Sequence, residues 1–146
     1  MRSHISLEQF RALCRERGLA FTHQRRVIGE MLLANPGHHS PDEIYAAVRE
    51  KVPSISLGTV YKNIRTFVET GILREVSVHH GSMKLEFGLH AHHHLVCTRC
   101  RTIEDIEETA IEPIRLRGKA PKGFEIQRYS VDILGLCARC RRTNKS

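Results

Sequence analysis

Residues 56–78 read SLGTVYKNIRTFVETGILREVSV, and the spacing of their apolar residues changes at Gly71. Before this glycine, Ser56 supplies a helix N-cap, and apolar residues recur at the spacing of one helix face. After it, apolar and polar residues alternate, as they do in a β-strand with one buried side. The apolar helix positions are Val60, Ile64, Phe67 and Val68. The stretch therefore predicts a helix that ends at Gly71 and leads directly into a β-hairpin.

Three earlier helices are predicted from their capping residues. Ser6 and Thr22 each precede a run with helical apolar periodicity. Ser40 gives the clearest start, because Pro41 fits the first helical position and the glutamate of SPDE completes a capping box. Two short helices joined by a tight turn and followed by a hairpin form a winged helix-turn-helix domain, which we predict over residues 1–88.

The outward face of the fourth predicted helix has the chemistry of a DNA-recognition helix. It carries Thr59, Tyr61, Lys62 and Arg65. Lys and Arg bind phosphates or guanine edges, while Thr and Tyr contact sugars, phosphates or thymine methyl groups. The alternative interpretation is an ordinary solvent-exposed helix face. The formal net charge of +7 and the pI near 9.5 favour a polyanionic partner, but charge alone does not locate the interface.

Residues 89–146 predict a small α/β domain with an antiparallel sheet. The segments HLVC, RTIEDI and FEIQRYSVDILGLC are strand-like, and TAIEPIRLR at 109–117 is a helical candidate that contains Pro113. A domain of this size has a thin core, so we expect a metal ion or dimerisation to stabilise it. The fold class is then α+β, with a winged helix followed by this smaller domain.

Two C-x-x-C pairs predict a structural Zn(II) site in the second domain. The pairs are Cys97 with Cys100 and Cys137 with Cys140. Four thiolates at about 2.3 Å make a closed tetrahedral zinc site. The alternatives are reduced free thiols or a redox pair, and a disulfide scaffold is disfavoured because the sequence shows no export signal. The fifth cysteine, Cys14, follows an apolar helix position and is expected in the core.

The histidines of HAHHHLVC at 90–97 indicate a second metal site, because four cysteines already saturate a zinc ion. His92 and His94 lie on one face of a strand, a face that His90 shares, whereas His93 points away. Imidazoles combined with carboxylates, without thiolates, suit Fe(II), Mn(II) or Zn(II). The nearby carboxylates are Glu86, Glu104 and Asp105. The alternative is a polar linker without a metal.

The chain shows no sign of membrane insertion or export. No apolar run approaches the roughly 20 residues that cross a bilayer, and the N-terminus MRSHISLEQF lacks the apolar core of a signal peptide. We therefore expect a cytoplasmic protein with no membrane partner.

In order and spacing, the motifs resemble those of the ferric uptake regulator (Fur) family of bacterial metal-dependent repressors. They are GHHSPDEIY at 37–45, SISLGTVYKNI at 54–64, HAHHHLVCTRC at 90–100, RTIEDI at 101–106 and GLCARC at 135–140. The resemblance implies a winged helix joined to a C-terminal dimerisation domain. It also implies a homodimer that binds double-stranded DNA at a palindromic operator, and therefore a regulator and not an enzyme.

The resemblance also implies roles for individual residues. Cys97, Cys100, Cys137 and Cys140 match the structural zinc ligands, and the regulatory Fe(II) or Mn(II) ligands are His38, Glu86, His92, His94 and Asp105. His39 is the rival of His38, and the spacing to Ile44 favours His38. Tyr61 falls where the family has a DNA-contacting tyrosine.

Two ligand positions favour different branches of the family. At position 105 the chain has Asp, as in members of the peroxide-sensing (PerR) branch that it resembles. In that branch, Fe(II)-catalysed oxidation of histidine ligands releases metal and DNA, and the corresponding histidines here are His38 and His92. Mn(II) at the same site would give a repressor insensitive to peroxide. Glu86 is similar to the iron sensors, so iron sensing without peroxide chemistry remains the alternative, followed by zinc sensing.

Two functions from other classes are also compatible with metal-binding residues. A small metallohydrolase would use metal-bound water as its nucleophile, but the sequence suggests no substrate cleft and the helix-turn-helix would be unexplained. A zinc-ribbon interaction module without DNA binding is the other, and metal-dependent binding to an operator would exclude it.

Overall fold

The computed structural model describes residues 5–78, 82–118 and 120–143. The chain divides into two compact units, Met1–Leu89 and His90–Ser146. Four helices and a hairpin form the first unit, and a three-stranded sheet with a short helix forms the second. Within the described ranges, no helix is both long enough and apolar enough to cross a bilayer.

The four helices of the first unit begin at the predicted caps. They are α1 (Leu7–Glu16), α2 (His23–Ala34), α3 (Pro41–Lys51) and α4 (Leu57–Glu69). Ser6, Thr22, Ser40 and Ser56 each accept a hydrogen bond from the backbone N–H of the third helical residue. α4 is followed by Gly71 at φ 74°, a left-handed conformation that glycine adopts without a steric penalty.

The hairpin that follows α4 is attached to α3. Strands β1 (Leu73–Val78) and β2 (Ser82–Phe87) pair antiparallel, and the predicted turn at 79–81 lies outside the described residues. An isolated bridge joins His39, just before α3, to Leu85 of β2. This attachment places β2 beside the start of α3 and completes the predicted winged helix-turn-helix fold.

Phe10 of α1 lies at the centre of the first core and is fully buried. Its ring packs edge-on against Phe21, Phe67 and Phe87, with centroid separations of 6.1, 5.6 and 6.0 Å. Gly29 of α2 faces the same ring, and a Cβ at this glycine would lie 2.3 Å from Phe10 Cε1. The close approach of α1 and α2 therefore requires glycine at this position.

The second unit is built around one central strand. Its elements are β3 (His92–Cys97), β4 (Ile103–Glu107), a 3-10 turn (Glu108–Ala110), β5 (Asp132–Gly135) and α5 (Ala138–Arg142). The strand order is β4-β3-β5. β3 pairs antiparallel with β4 and parallel with β5.

Three predictions for this unit are wrong in part. The sheet is mixed because the long connection from β4 to β5 lets β5 return parallel to β3. The helix expected at 109–117 is absent beyond Ala110, since Pro113 has no N–H to donate and Ile114 and Leu116 are 51% and 62% exposed. The long strand expected at 124–137 is reduced to β5.

The second unit leaves much apolar surface in water. Leu95 and Ile133, which pair across β3 and β5, are 38% and 43% exposed. Further exposed apolar side chains are Ile114, Leu116, Phe124, Ile126, Leu134 and Leu136. Apolar exposure of this kind is typical of an interaction surface, which agrees with the dimerisation domain predicted for this part of the chain.

Gly29→Ala tests the packing of α1 against α2. Alanine favours a helix interior by about 1 kcal/mol over glycine, but here its methyl group would displace the Phe10 ring. We expect a net destabilisation of about 1–3 kcal/mol, as found for overpacked cores. Urea unfolding of the metal-loaded protein measures it.

Gly58→Ala in the first turn of α4 is the matched control. A Cβ at Gly58 has only Ser56 Oγ near it, at 4.0 Å. This variant should be as stable as the wild type or slightly more stable. Equal stability of Gly29→Ala and Gly58→Ala would contradict the close approach.

Candidate metal centres and nucleic-acid interface

The two C-x-x-C pairs meet at the end of β3. The parallel pairing of Cys97 with Gly135 brings the second pair, which begins at the N-cap of α5, beside the first. All four Sγ atoms lie within 4.8 Å of one another, and Cys100 Sγ is 3.7 Å from Cys137 Sγ. Four zinc–sulfur bonds of about 2.3 Å at tetrahedral angles require sulfurs about 3.8 Å apart. The cluster therefore fits a structural zinc ion.

The close contacts among these cysteines shift their pKa values in opposite directions. Hydrogen bonds, first from the hydroxyl and backbone N–H of Thr102, lower the pKa of Cys100 to about 5. Burial, followed by contacts with the neighbouring sulfurs, raises the pKa of Cys140 to about 12. Four thiolates cannot share this space without a positive charge among them, and a zinc ion supplies it.

In the first unit, His38 and Glu86 form a buried pair. His38 Nε2 lies 2.8 Å from Glu86 Oε2, and the two side chains are 8% and 6% exposed. His39 instead lies with its Nε2 2.5 Å from the carbonyl oxygen of Asn35, at the C-terminus of α2. Of the two rival histidines, His38 is thus the one beside the predicted carboxylate ligand.

The same carboxylate also binds an arginine that the sequence did not single out. Arg74 is the cross-strand neighbour of Glu86 in the hairpin. Its Nε donates to Glu86 Oε1 at 2.8 Å, and its Nη2 donates to the same oxygen. The two carboxylate oxygens are therefore divided between Arg74 and His38.

In the second unit, β3 and β4 bring together His92, His94 and Asp105. Asp105 is the direct antiparallel partner of His94. His92 Nε2 lies 3.7 Å from Asp105 Oδ1, and the two imidazole rings are 4.9 Å apart. The alternation of side chains along β3 places both rings on one face, as predicted.

Hydrogen bonds orient both imidazoles for metal binding. His94 Nδ1 lies 3.1 Å from Asp132 Oδ1 of β5, and His92 Nδ1 lies 3.1 Å from the carbonyl oxygen of His90. Both acceptors favour the tautomer with hydrogen on Nδ1, which leaves Nε2 as the nitrogen that can bind a metal. Asp132 was not expected from sequence, because only the parallel pairing of β3 with β5 places it beside His94.

His93 has a structural role on the opposite face of β3. It is 1% exposed, its Nδ1 accepts a hydrogen bond from the backbone N–H of Val131 at 3.2 Å, and its ring stacks on Tyr129. Cys14 is likewise buried, in the core of the first unit, where burial raises the pKa of its thiol. Glu104 is exposed and pairs with Leu95, so Asp105 is the carboxylate of β4 beside His94.

Each unit thus presents nitrogen and oxygen donors without sulfur. The first presents His38 Nε2 and Glu86 Oε2, and the second presents two imidazoles and Asp105. This donor chemistry fits Fe(II) or Mn(II) and differs from the thiolate chemistry of the zinc cluster.

The recognition-helix residues have the expected exposure. Tyr61, Lys62 and Arg65 are exposed on α4, and Thr59 is partly exposed and hydrogen bonded to Ser56 through its hydroxyl. The opposite face of the helix is buried at Val60, Ile64 and Phe67.

Other helices position parts of this face. The Tyr61 hydroxyl donates to Asp42 Oδ1 of α3 at 3.0 Å, a contact that raises the pKa of Tyr61. Arg25 of α2 donates from Nε to Asn63 Oδ1 at 3.1 Å and from Nη1 to the carbonyl oxygen of Ala20 at 2.7 Å. These contacts between helices could not be read from the sequence, because helix periodicity does not specify neighbours.

Comparison with known proteins gives one consistent family. The profile of the ferric uptake regulator family matches residues 16–134. The peroxide-responsive repressor PerR of Staphylococcus epidermidis is 31% identical over 135 residues, which are 92% of this chain and 90% of that protein.

Solved structures have the same fold. The Campylobacter jejuni peroxide stress regulator is 26% identical with a TM-score of 0.62, covering 93% of this chain and 99% of that one. A zinc uptake regulator solved with zinc and DNA is 19% identical with a TM-score of 0.66, covering 96% of this chain and 95% of that one.

Cys137→Ser tests the four-cysteine cluster. A serine oxygen is a poor replacement for a thiolate, and structural zinc contributes on the order of 10 kcal/mol to the folding of such small units. We expect the variant to lose its tightly bound zinc and the ordered structure of the second unit. Elemental analysis and circular dichroism measure the two effects.

Cys14→Ala is the matched control, because this cysteine lies in the other unit and outside the cluster. It should retain one tightly bound zinc per chain. Full zinc retention by Cys137→Ser would exclude the cluster as the zinc site.

Proposed function

The chain belongs to the ferric uptake regulator family of metal-dependent DNA-binding repressors, and from this premise we propose that it is a peroxide sensor. It is a transcriptional regulator and not an enzyme. The observation that carries the proposal is the group on β3 and β4, where two imidazoles with hydrogen-bonded Nδ1 atoms lie beside Asp105. The cytoplasm, where thiols stay reduced, suits its free cysteines.

One regulatory ion, Fe(II) or Mn(II), takes ligands from both units in this proposal. The ligands are His38, Glu86, His92, His94 and Asp105. In support, the donors of each unit are already oriented, yet either set alone is too small to fill the coordination sphere of Fe(II) or Mn(II). Such an ion couples metal binding to the position of the DNA-binding unit, so the metal-loaded protein binds DNA more tightly.

Peroxide sensing uses the same histidines. His38 and His92 would hold Fe(II), which when bound would catalyse the reaction with peroxide. In the net reaction one peroxide oxygen would be added to an imidazole carbon and the other would leave as water, so peroxide would be the oxidant and the imidazole would be oxidised. His38 and His92 are the proposed targets. The side chain of His92 is 17% exposed, compared with 2% for His94, so a small solute reaches it more readily. An oxidised imidazole binds metal poorly, and both metal and DNA are released.

Iron sensing without peroxide chemistry is the second candidate. The observation that favours it is Glu86, because the family resemblance associates glutamate at this position with iron sensors and aspartate with peroxide sensors. Zinc sensing is less well supported, because zinc sensors of the family often take a cysteine ligand from near the hinge and this chain has no cysteine between Cys14 and Cys97.

The DNA partner follows from α4 and from dimerisation. Family membership implies a dimer that binds DNA, and we propose that the apolar surface of the second unit forms the dimer interface. A twofold-symmetric dimer presents two copies of α4, so the proposed operator is a palindrome whose half-sites lie in successive major grooves. Thr59, Tyr61, Lys62 and Arg65 are the proposed contacts on each helix.

Exposure of the Fe(II)-loaded protein to low peroxide tests the peroxide sensor. We expect one added oxygen atom on the peptide that contains His38 or His92, together with loss of operator binding, and neither change in the Mn(II)-loaded protein. Peptide mass spectrometry measures the oxidation. A mobility-shift assay measures DNA binding, with DNA fragments that the wild-type protein selects.

The variant His23→Gln provides a control, because His23 is exposed in the first turn of α2 and is not a proposed ligand. Its oxidation pattern should match the wild type. Unmodified histidines with persistent DNA binding would reject peroxide sensing and leave iron sensing.

Lys62→Ala tests the recognition helix. Loss of one phosphate contact should weaken operator binding and reduce the slope of log affinity against log salt by about 0.9. Lys51→Ala, at the C-terminal end of α3, removes the same charge and should leave the slope unchanged. Equal slopes for Lys62→Ala and the wild type would remove Lys62 from the interface.

A further inference from the structure

Glu86 is a buried carboxylate that needs a cation whether or not a metal is bound. Its side chain is 6% exposed, and an ionised carboxylate at this depth is costly unless it is paired. Arg74, with a side chain 9% exposed, supplies that charge from the adjacent strand. Because a guanidinium does not lose its proton in proteins, the positive charge of Arg74 is present whether or not a metal is bound.

The pairing is asymmetric at the level of atoms. Arg74 Nε and Nη2 both donate to Oε1, whereas His38 Nε2 lies 2.8 Å from Oε2. Arg74 therefore occupies the oxygen that faces away from the histidine. Oε2 is the oxygen that lies beside the other proposed ligand of this unit.

We propose that Arg74 sets the metal affinity of the regulatory site by competing with the ion for the charge of Glu86. It donates two hydrogen bonds to Oε1 of Glu86, and it places a fixed positive charge against the same carboxylate that must attract a divalent cation. The inference rests on the proposed regulatory site, of which Glu86 is a ligand.

Two consequences follow from this competition. Without metal, Arg74 keeps the buried carboxylate paired, so the first unit stays folded and its two donors stay in place. With metal, repulsion between the guanidinium and the ion weakens binding, which raises the metal concentration at which the repressor responds. Arg74 thus lowers the affinity for the metal and stabilises the metal-free protein.

The test measures Mn(II) binding to the zinc-containing protein. The electron paramagnetic resonance signal of free Mn(II) reports how much of the metal is unbound. In Arg74→Met we expect affinity to rise at least about tenfold, because a unit charge a few ångströms from the ion is removed. Without Mn(II), the same variant should melt at a lower temperature than the wild type. Its melting temperature should rise more on Mn(II) addition.

Two further variants isolate the effect. Arg74→Lys keeps the charge and should keep an affinity close to that of the wild type. Arg26→Met removes an arginine from an exposed pair with Glu30 and should change neither affinity nor the Mn(II)-induced shift in melting temperature. If Arg74→Met is unfolded without metal, Mn(II) should restore the wild-type circular dichroism spectrum.

The outcomes separate this inference from the proposed function. The role of Arg74 is overturned if Arg74→Met binds Mn(II) no more tightly than the wild type. It is also overturned if this variant stays unfolded at saturating Mn(II). Failure of the proposed regulatory site has a different signature, in which the wild type does not bind Mn(II) or Glu86→Gln binds it as well as the wild type.

Discussion

The strand β3 is the element on which both candidate metal centres of this protein depend. Side chains on a β-strand alternate between two faces, so His92 and His94 lie on one side while His93 and Cys97 lie on the other. Parallel pairing with β5 then brings further side chains to each face of β3. Asp132 reaches His94, and the segment after Gly135 carries the second cysteine pair to the first. A single pairing thus orients His94, a proposed regulatory ligand, and assembles the four-cysteine cluster.

The second unit lacks a large core, and its features follow from that deficiency. Much of the connection between β4 and β5 is irregular, and its apolar side chains are exposed. A zinc ion held by four thiolates replaces part of the missing hydrophobic stabilisation, because it joins two distant parts of the chain at one point. Dimerisation would supply the rest by covering apolar surface. Zinc and dimer contacts therefore both compensate for the thin core of the second unit.

Carboxylates determine how the regulatory donors behave. Asp132 fixes the tautomer of His94 without itself being a proposed ligand, while Glu86 is a proposed ligand whose charge is already shared with Arg74. The first arrangement makes an imidazole a better donor, and the second makes a carboxylate a weaker one. Opposing effects of this kind suit a sensor, which must bind its metal reversibly. A site in which every group raised the metal affinity would stay occupied at all metal concentrations and could not respond to a change in them.

Local sequence signals were enough to predict where the helices of the first unit begin, the two cysteine pairs and the histidines that share a strand face. Capping, periodicity and C-x-x-C spacing are local, so they act through residues close together in the chain. Contacts between distant parts of the chain establish that β5 is parallel to β3, that Asp132 lies beside His94, and that Arg74 binds the carboxylate of Glu86. These features join residues far apart in the chain. Their formation depends on which surfaces are buried and which charges must be paired, and no local pattern encodes either condition.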